Sequence, residues 1–570
     1  MPPPTHTVRE PDEKMTGWYD PLQLINTGIQ VLISQILGTR ADYRLIESFG
    51  GPENVHDFSR REECWFDYVA DIGDGWDSTY TVACMLAVQP LKVASPDAPT
   101  TGQAGMPLEL PRGEFLVMGG DEVYPIASRE QYEVKTVEPY ECALPETPEP
   151  HPAVFAIPGN HDWYDGLISF MRLFGQPRWI GGWRTRQKRS YFAIRLPQNW
   201  WIWALDYQLE SDIDQVQVDF FKKVAEQMPT GGKVILVTAE PDWIYGHIYH
   251  EKYRKNIEFL QTSVIQERAR ATLRVAIAGD LHHYRRHQAQ DGTQLITSGC
   301  GGAFMLGTCG PKVNELGFGK PEKKFELKSE YPTRGTSLRL LLKNFLFPFI
   351  NPKFGFVTGI LYLAIAWTYR VPVTTEYETL LQRGSPATTT MVILRTLLSS
   401  PFGFGILALV VVGFVAFTDT HERIYKYLGG TSHALANLWA LFVVSAGASK
   451  LSRDILHMPY NSVRYLLVVA GLIFAGGYFA GAMIMGIYLY ISQAVFRRHS
   501  QEAFSSLRGP DYKGFVRFHV EKDGSLSIYP IGVDRVPRRW KQQADGLAPR
   551  WVPKHRAIEP HLIEKPLRVT

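Results

Sequence analysis

At 570 residues the chain is too long for one ordinary domain, so two or three folding units are expected. A formal net charge of +3 is too small to argue for nucleic-acid binding, and no such partner is expected. Hydrophobic residues make up 45%, which fits a soluble protein on average, but the apolar residues concentrate between about 340 and 496.

The chain opens Met1-Pro2-Pro3-Pro4, without the charged and apolar regions of a signal peptide. The long N-terminal part is therefore expected to stay in the cytoplasm. All five cysteines (Cys64, Cys84, Cys142, Cys300, Cys309) lie outside the apolar region without CxxC or zinc-finger spacing, which reads as reduced thiols.

Residues 1–18 are polar and Pro-rich, and disorder is expected there. Leu22, Ile25, Ile29, Leu32, Ile33 and Ile36 then recur at helical spacing. That stripe fits a helix on a membrane surface or one packed on the domain, and both readings stand.

From Trp65 to about Met305, apolar runs alternate with helical or loop segments. Phe66–Ala70, Phe115–Met118, Ala153–Ile157, Val234–Val237 and Leu273–Ala278 each predict a short buried strand. A polar or acidic residue follows almost every one, the layout of an α/β fold whose chemistry sits at strand C-termini. The stretch Ser95–Gly113 predicts a surface insertion.

Phe354–Tyr369 is apolar but short, whereas Thr396–Thr418, Tyr427–Ser449 and Tyr465–Phe496 lack any Asp, Glu, Lys or Arg. Each of the last three is long enough to cross a bilayer, and about four spans are expected over 340–498. Lys320, Lys323, Lys324, Lys328, Arg334, Arg339 and Lys343 precede the first span, and Arg497, Arg498 and Arg508 follow the last. The opposite loops carry fewer cations, including Arg383, Lys450 and Arg453. That bias predicts a multi-pass protein of the plasma or inner membrane with both soluble ends in the cytoplasm. Gly477 and Gly481 form a GxxxG pair for close helix packing. His421 and His433 border spans and read as interfacial or packing residues. Residues 509–570 are soluble again, and Phe515–Val520, Lys522-Asp523-Gly524 and Ser527–Ile531 predict a β-hairpin returned to the N-terminal domain (19–335).

Five strand-end motifs carry the chemistry: Asp71-Ile72-Gly73, Gly120-Asp121-Glu122-Val123-Tyr124, Gly159-Asn160-His161-Asp162, Val237-Thr238-Ala239-Glu240 and Gly279-Asp280-Leu281-His282. Their order resembles the calcineurin-like metallophosphoesterases, closest in motifs to the purple acid phosphatase branch, with DxG, GDxxY, GNH[DE], VxxH and GHxH. The first three motifs match fully and the last two with substitutions; Ser298-Gly299-Cys300-Gly301-Gly302 adds a glycine-rich end. The resemblance covers roughly residues 65–305. It implies a four-layer α/β/β/α sandwich, joined here to an α-helical transmembrane region. It also implies a metal-dependent phosphoric ester hydrolase acting through a metal-bridging hydroxide.

By that resemblance Asp121 bridges two ions, while Asp71, Tyr124 and His282 complete the first and Asn160 supplies an amide oxygen to the second. His161 takes the family position that stabilises the transition state or protonates the leaving oxygen, beside Asp162. The family's first GHxH histidine is Asp280 here, and the VxxH histidine falls on Glu240 if Val237 sets the register; aligning on Pro241 puts Ala239 there instead. Carboxylates in place of histidines harden the second site, favouring Mn, Fe or Mg over Zn. His283 and Arg285 are candidates for substrate phosphate, with an exposed polar tail as the blander reading. The expected substrate is a phosphomonoester or phosphodiester, with a lipid-linked one attractive for a membrane protein. A non-catalytic regulatory or ligand-sensing membrane protein is the alternative.

Overall fold

The computed structural model describes residues 13–38, 55–95, 107–147, 149–207, 213–249, 255–369, 400–418, 422–544 and 548–570. Most of the Pro-rich start, the middle of the Ser95–Gly113 insertion, Arg383, the first residues of Thr396–Thr418, and His421 lie outside them. The chain divides into two units. One holds Asn26–Thr336 and Arg508–Thr570 with the described residues up to Thr16; the other holds Gly17–Ile25 and Ser337–Leu507.

The first unit is mixed α/β, built on two large sheets. One runs, edge to edge, through Val55–Asp57, Phe192–Arg195, Trp200–Ala204, Lys233–Val237, Thr272–Ala278, Gln294–Ser298, Tyr284–Ala289, Lys323–Tyr331 and Glu315–Phe318. Its four middle strands, Trp200–Ala204 to Gln294–Ser298, are mutually parallel. The other runs through His561–Leu562, Leu526–Val533, Lys513–Val520, Cys64–Val69, Phe115–Met118, Ala153–Ala156, Trp183–Thr185 and Trp179–Ile180, with Leu567–Val569 also on Leu526–Val533. Here Cys64–Val69, Phe115–Met118 and Ala153–Ala156 are parallel neighbours.

These strands are apolar on both faces, as strands covered on both sides must be. Trp200, Ile202 and Ala204 join a cluster with Phe66, Phe115, Phe155 and Phe518 of the second sheet. Trp201 and Trp203 turn the other way, onto Phe220, Phe221 and Val224 of the helix Gln215–Gln227. In the second sheet Leu116, Met118 and Val154 pack instead on the helix Trp76–Ala87.

The C-terminal hairpin is part of the second sheet. Lys513–Val520 pairs with Leu526–Val533 around Gly524, whose φ of +83° suits the tight turn, and pairs on its other side with Cys64–Val69. A buried ion pair clasps that junction. Arg517 donates from Nε to Asp67 Oδ1 at 2.6 Å and from Nη2 to Oδ2 at 3.0 Å. Burial still raises the Asp67 carboxyl, against the lowering pull of Arg517.

The strand Lys323–Tyr331 changes the reading of the basic flank. Lys320, Lys323, Lys324 and Lys328 pair with Glu258, Asp291, Glu315 and Glu326 at 3.2, 2.6, 2.8 and 2.8 Å. Four cations counted toward membrane orientation therefore belong to a sheet edge and its surroundings, with acidic partners of their own.

The second unit is helical. Arg423–Ile455 and Val463–Ala494 are long and apolar enough to cross a membrane, with mean hydropathies of 1.4 and 2.0. The first expected span is instead a bent pair, Arg334–Ile350 and Pro352–Thr368, meeting at 60°. The described part of the second is the helix Pro401–Phe417, whose 17 residues reach only about 26 Å at 1.5 Å per residue. Gly477 and Gly481 let Pro352–Thr368 approach closely: a Cβ at either would fall 2.5 Å from Tyr362 or 2.7 Å from Thr358. His433 is buried against Phe414 and Tyr488, a packing position rather than an interfacial one.

Candidate functional site

Parallel strands release their loops at one end, which brings Asp71, Asp121 and Asn160 out side by side from one sheet and Glu240 and Asp280 from the other. The loops are stitched together by backbone hydrogen bonds. Asp71 and Ile72 donate to the carbonyls of Gly120 and Asp121, both at 3.0 Å, and Gly301 and Ala303 donate to Ala70 and Asp71 at 3.0 and 2.8 Å. Four motif residues sit in the left-handed region, with φ of 55° at Asp71, 56° at Asp121, 69° at Asp280 and 44° at His282. Each costs a non-glycine residue about 1–3 kcal/mol, so the surrounding bonds must hold them. Two glycines make room for the carboxylates. A Cβ at Gly159 would meet Asp121 Oδ1 at 2.1 Å, and one at Gly299 would meet Asp71 Oδ2 at 2.0 Å.

The centre of the cluster is a phenol oxygen. Tyr124 Oη lies 3.0 Å from Asp71 Oδ1, 3.0 Å from Asp121 Oδ2 and 3.0 Å from His282 Nε2. His282 Nδ1 is 3.0 Å from the Phe304 carbonyl, an acceptor only, so Nδ1 carries the proton and Nε2 presents its lone pair. One phenol proton therefore faces three acceptors. At most one can receive it squarely, so the other two lone pairs face each other unless a second proton or a cation comes between them.

The electrostatics agree. Burial lifts the Asp71 carboxyl well above its usual range, with repulsion from Asp121 and Asp280 adding to it. Burial also pushes Asp121 up to about 6, opposed by His161 and reinforced by Asp162. His282 is held neutral, lowered to about 3 first by burial and then by Lys513 and His161.

The GNHD segment wraps the same carboxylate. His161 donates its backbone N–H to Asp121 Oδ1 at 2.9 Å, and its ring lies 4.4 Å from that of Tyr124. His161 Nδ1 is 2.7 Å from the Pro125 carbonyl, so Nε2 is the proton-exchanging nitrogen. Asn160 donates from Nδ2 to Tyr164 Oη at 3.0 Å, which fixes the orientation of its amide. Asp162, grouped with His161 by sequence, turns instead onto the backbone. Its Oδ2 accepts from Gly159 and Asp121 N–H at 2.8 and 2.9 Å, and Tyr132 donates to its Oδ1. It is a positioning residue that fixes the Asp121 turn.

The other half is arranged differently. Asp280 is half-buried, pushed up to about 6 by burial, and Tyr245 donates to its Oδ2. Glu240 is buried; its carbonyl accepts from Thr238 Oγ1 at 3.0 Å, and its charge bears on Tyr207 and Tyr245. Ala239 is the residue against the two Gly-Asp turns: Gly279 donates to its carbonyl at 3.1 Å, and its methyl faces Gly120. His283 and Arg285 are both buried, which removes the exposed-tail reading. Arg285 donates to the Thr308 carbonyl at 3.0 Å and lies 3.9 Å from Glu330.

Three contributors carry no motif. Tyr245 lies on the helix Asp242–Tyr249, and Tyr132 reaches in beneath Asp162. Lys513, from the C-terminal hairpin, is fully buried; its Nζ has no hydrogen-bond partner among the described residues. Burial lowers it to about 8, and Cys300, Asp511, Asp74 and Asp71 pull the other way. The only sequence signal is a lysine opening a strand that also carries Arg517 and His519.

As a donor set, Asp71, Asp121, Tyr124 and His282 fit a hard or borderline cation, and the buried Oδ2 of Asp71, without a hydrogen-bond partner among the described residues, is an atom that such a charge would satisfy. As an assembled cage they do not close. His282 Nε2 and Asp71 Oδ1 are 3.8 Å apart with the phenol between them. Among the described residues no group of three or more His, Cys, Asp or Glu is placed to hold an ion.

No family model matches the chain, and no curated protein does. Among solved structures it is similar to "GAP50 the anchor in the inner membrane complex of Plasmodium", with 12% identity over 46% of this chain and 78% of that one and a TM-score of 0.31. It is also similar to PhoD, with 9% identity over 42% of this chain and 58% of that one and a TM-score of 0.25. Neither likeness is close enough to fix a fold.

Proposed function

We propose that the chain is a membrane-anchored, metal-dependent phosphoesterase that hydrolyses a phosphomonoester or phosphodiester. The convergence of Asp71, Asp121 and His282 on the single proton of Tyr124 carries this reading. Lone-pair donors held together by strained backbone need a positive charge to be stable, and such charge is what phosphoryl transfer requires. Bound ions, Mn or Fe before Mg or Zn, would polarise a phosphoryl oxygen and acidify the attacking water. Asp121 would hold both, Asp71, Tyr124 and His282 one, and Asn160 with Asp280 the other. With Nδ1–H held on the Pro125 carbonyl, His161 would have to be doubly protonated to deliver a proton from Nε2 to the leaving oxygen, and would be left as the neutral Nδ1–H form.

Burial of alternate residues on opposite faces of each strand supports the four-layer α/β/β/α order. Two membrane-length helices support anchoring, and a lipid-linked ester is the substrate that anchoring favours. Four spans with both soluble ends in the cytoplasm complete the proposal. A reporter active only in that compartment, fused at Thr570, should then be active.

The catalytic test is metal add-back to stripped full-length protein with a panel of aryl and alkyl phosphate esters. Hydrolysis should need metal and should vanish in His161→Ala. One observation favours the alternative, a regulatory domain that binds without turnover: Asp280 is already engaged by Tyr245. Metal uptake without hydrolysis of any ester would select it.

A further inference from the structure

The C-terminal segment carries a charge pattern that neither the strand-end cluster nor the hairpin in the second sheet uses. Residues 535–556 hold seven Lys or Arg against one acidic residue, Asp545, in a chain whose net charge is only +3. Within them Trp540–Gln542 pairs antiparallel with Trp551–Pro553, matching Trp540 to Pro553 and Gln542 to Trp551.

One face of this ribbon is fixed to the domain. Trp540 donates from Nε1 to Asp77 Oδ1 at 2.7 Å and meets the Tyr80 ring edge-on at 4.8 Å. Trp551 is buried, and its backbone N–H and carbonyl both bond the Tyr80 hydroxyl, at 2.9 and 2.8 Å. Side chains alternate along a strand, so Arg539, Lys541 and Lys554 share the opposite, outward face. All three are exposed. Lys554 N–H bonds the Arg539 carbonyl at 2.9 Å, which sets these two cations directly across from each other.

Like charges facing across a strand pair repel. Neighbouring cations are compensated: Arg535 and Arg538 share Asp511 at 2.9 and 3.2 Å, and Arg556 reaches Glu559 at 3.7 Å. Arg539, Lys541 and Lys554 have no ion pair among the described residues. A ribbon tryptophan-anchored within and cationic without is a surface built for an anionic plane. The same chain carries two helices of membrane-crossing length, joined to this unit on both sides of Ser337–Leu507. That covalent tether holds the ribbon at high effective concentration near lipid.

We infer that the outward face of this ribbon docks on the anionic phospholipid headgroups of the membrane in which the helices sit. The contact is electrostatic, weakens with salt, and limits how far the phosphoesterase-like unit swings from the bilayer. It rests on the proposed membrane anchoring, which insertion into phosphatidylcholine nanodiscs tests separately, and not on the hydrolytic reading.

Val552 lies outward, opposite Lys541, and the five native thiols are buried, so a Val552→Cys variant takes a single environment-sensitive label. Full-length labelled protein is placed in nanodiscs of phosphatidylcholine with or without phosphatidylserine. The expected result is an apolar shift of the label with phosphatidylserine only, reversed by high salt. Adding Arg539→Glu, Lys541→Glu and Lys554→Glu should abolish it, and the three glutamine substitutions should weaken it about 10²-fold, by the loss of three surface cations. Equal label signals in both lipids, or a phosphatidylserine response that survives charge reversal, would overturn the assignment. So would a label that answers to added duplex DNA or RNA and not to phosphatidylserine.

Discussion

The two halves of the strand-end cluster come from the same kind of turn and end in different states. On one side Asp71, Asp121 and His282 close on Tyr124, with His161 locked beside them. On the other, Asp280 is engaged by Tyr245, Asn160 by Tyr164, and the position against the two Gly-Asp turns is Ala239. On the proposed reading a bound cation would satisfy the first half as it stands, whereas the second would also have to free Asp280 from Tyr245. A strand-end carboxylate therefore marks where chemistry can happen, while its hydrogen-bond partner decides what it is ready to do.

The largest effect should come from Asp121, the residue common to both halves. Asp121→Asn removes the one charge they share, and hydrolysis should fall about 10²–10³-fold or more. Elemental analysis of the purified variant should show at least one ion lost. Retention of wild-type metal content and rate would erase the distinction between the halves, because no shared carboxylate would be needed.

Next in size is Tyr245→Phe, which acts on one half alone. Groups that orient a ligand typically change metal affinity 10–100-fold, so the weaker-bound ion should lose about tenfold while the tighter one is unmoved. Equal weakening of both ions would mean that Tyr245 supports the fold rather than Asp280. Metal identity sharpens the same contrast. An all-oxygen second half should give more activity with Mn²⁺ or Fe²⁺ than with Zn²⁺, and Asp280→His should narrow that gap. Strict Zn²⁺ dependence of the wild type would defeat this.

Much of this was legible in the sequence where side-chain pattern and backbone agree. The runs at Phe115–Met118 and Leu273–Ala278 became buried strands, because apolar residues on both faces leave a strand no exposed option. The glycines of the motifs announced the tight turns. Less legible was whatever depends on a distant partner. Lys323–Tyr331 read as a basic membrane flank, since its lysines gave no sign of the acids at Asp291 and Glu315 that neutralise them. His283 and Arg285 read as accessible because strand edges and strand interiors look alike in a short polar run. Tyr245 and Lys513 reach the cluster from a helix and from a hairpin more than 200 residues apart, and no local spacing encodes that.

The smallest effect should be that of Glu240. By motif register it stands where the resembled family places a histidine ligand, and a glutamine there would be expected to weaken the second ion. The geometry separates register from position. The Ala239 methyl faces Gly120, and its carbonyl accepts from Gly279 at 3.1 Å, so residue 239 is the one enclosed by the two Gly-Asp turns. The Glu240 carboxylate bears instead on Tyr207 and Tyr245, beside a carbonyl already bonded by Thr238. Glu240→Gln keeps the size of the side chain and removes only charge, so metal stoichiometry should be unchanged and activity should move less than about threefold, under 1 kcal/mol. Ala239→His is the matching gain of function, restoring an imidazole between Asp121 and Asp280 and raising Zn²⁺ affinity. Loss of one ion in Glu240→Gln, with Ala239→His inert, would return Glu240 to the ligand shell and make the two halves alike after all.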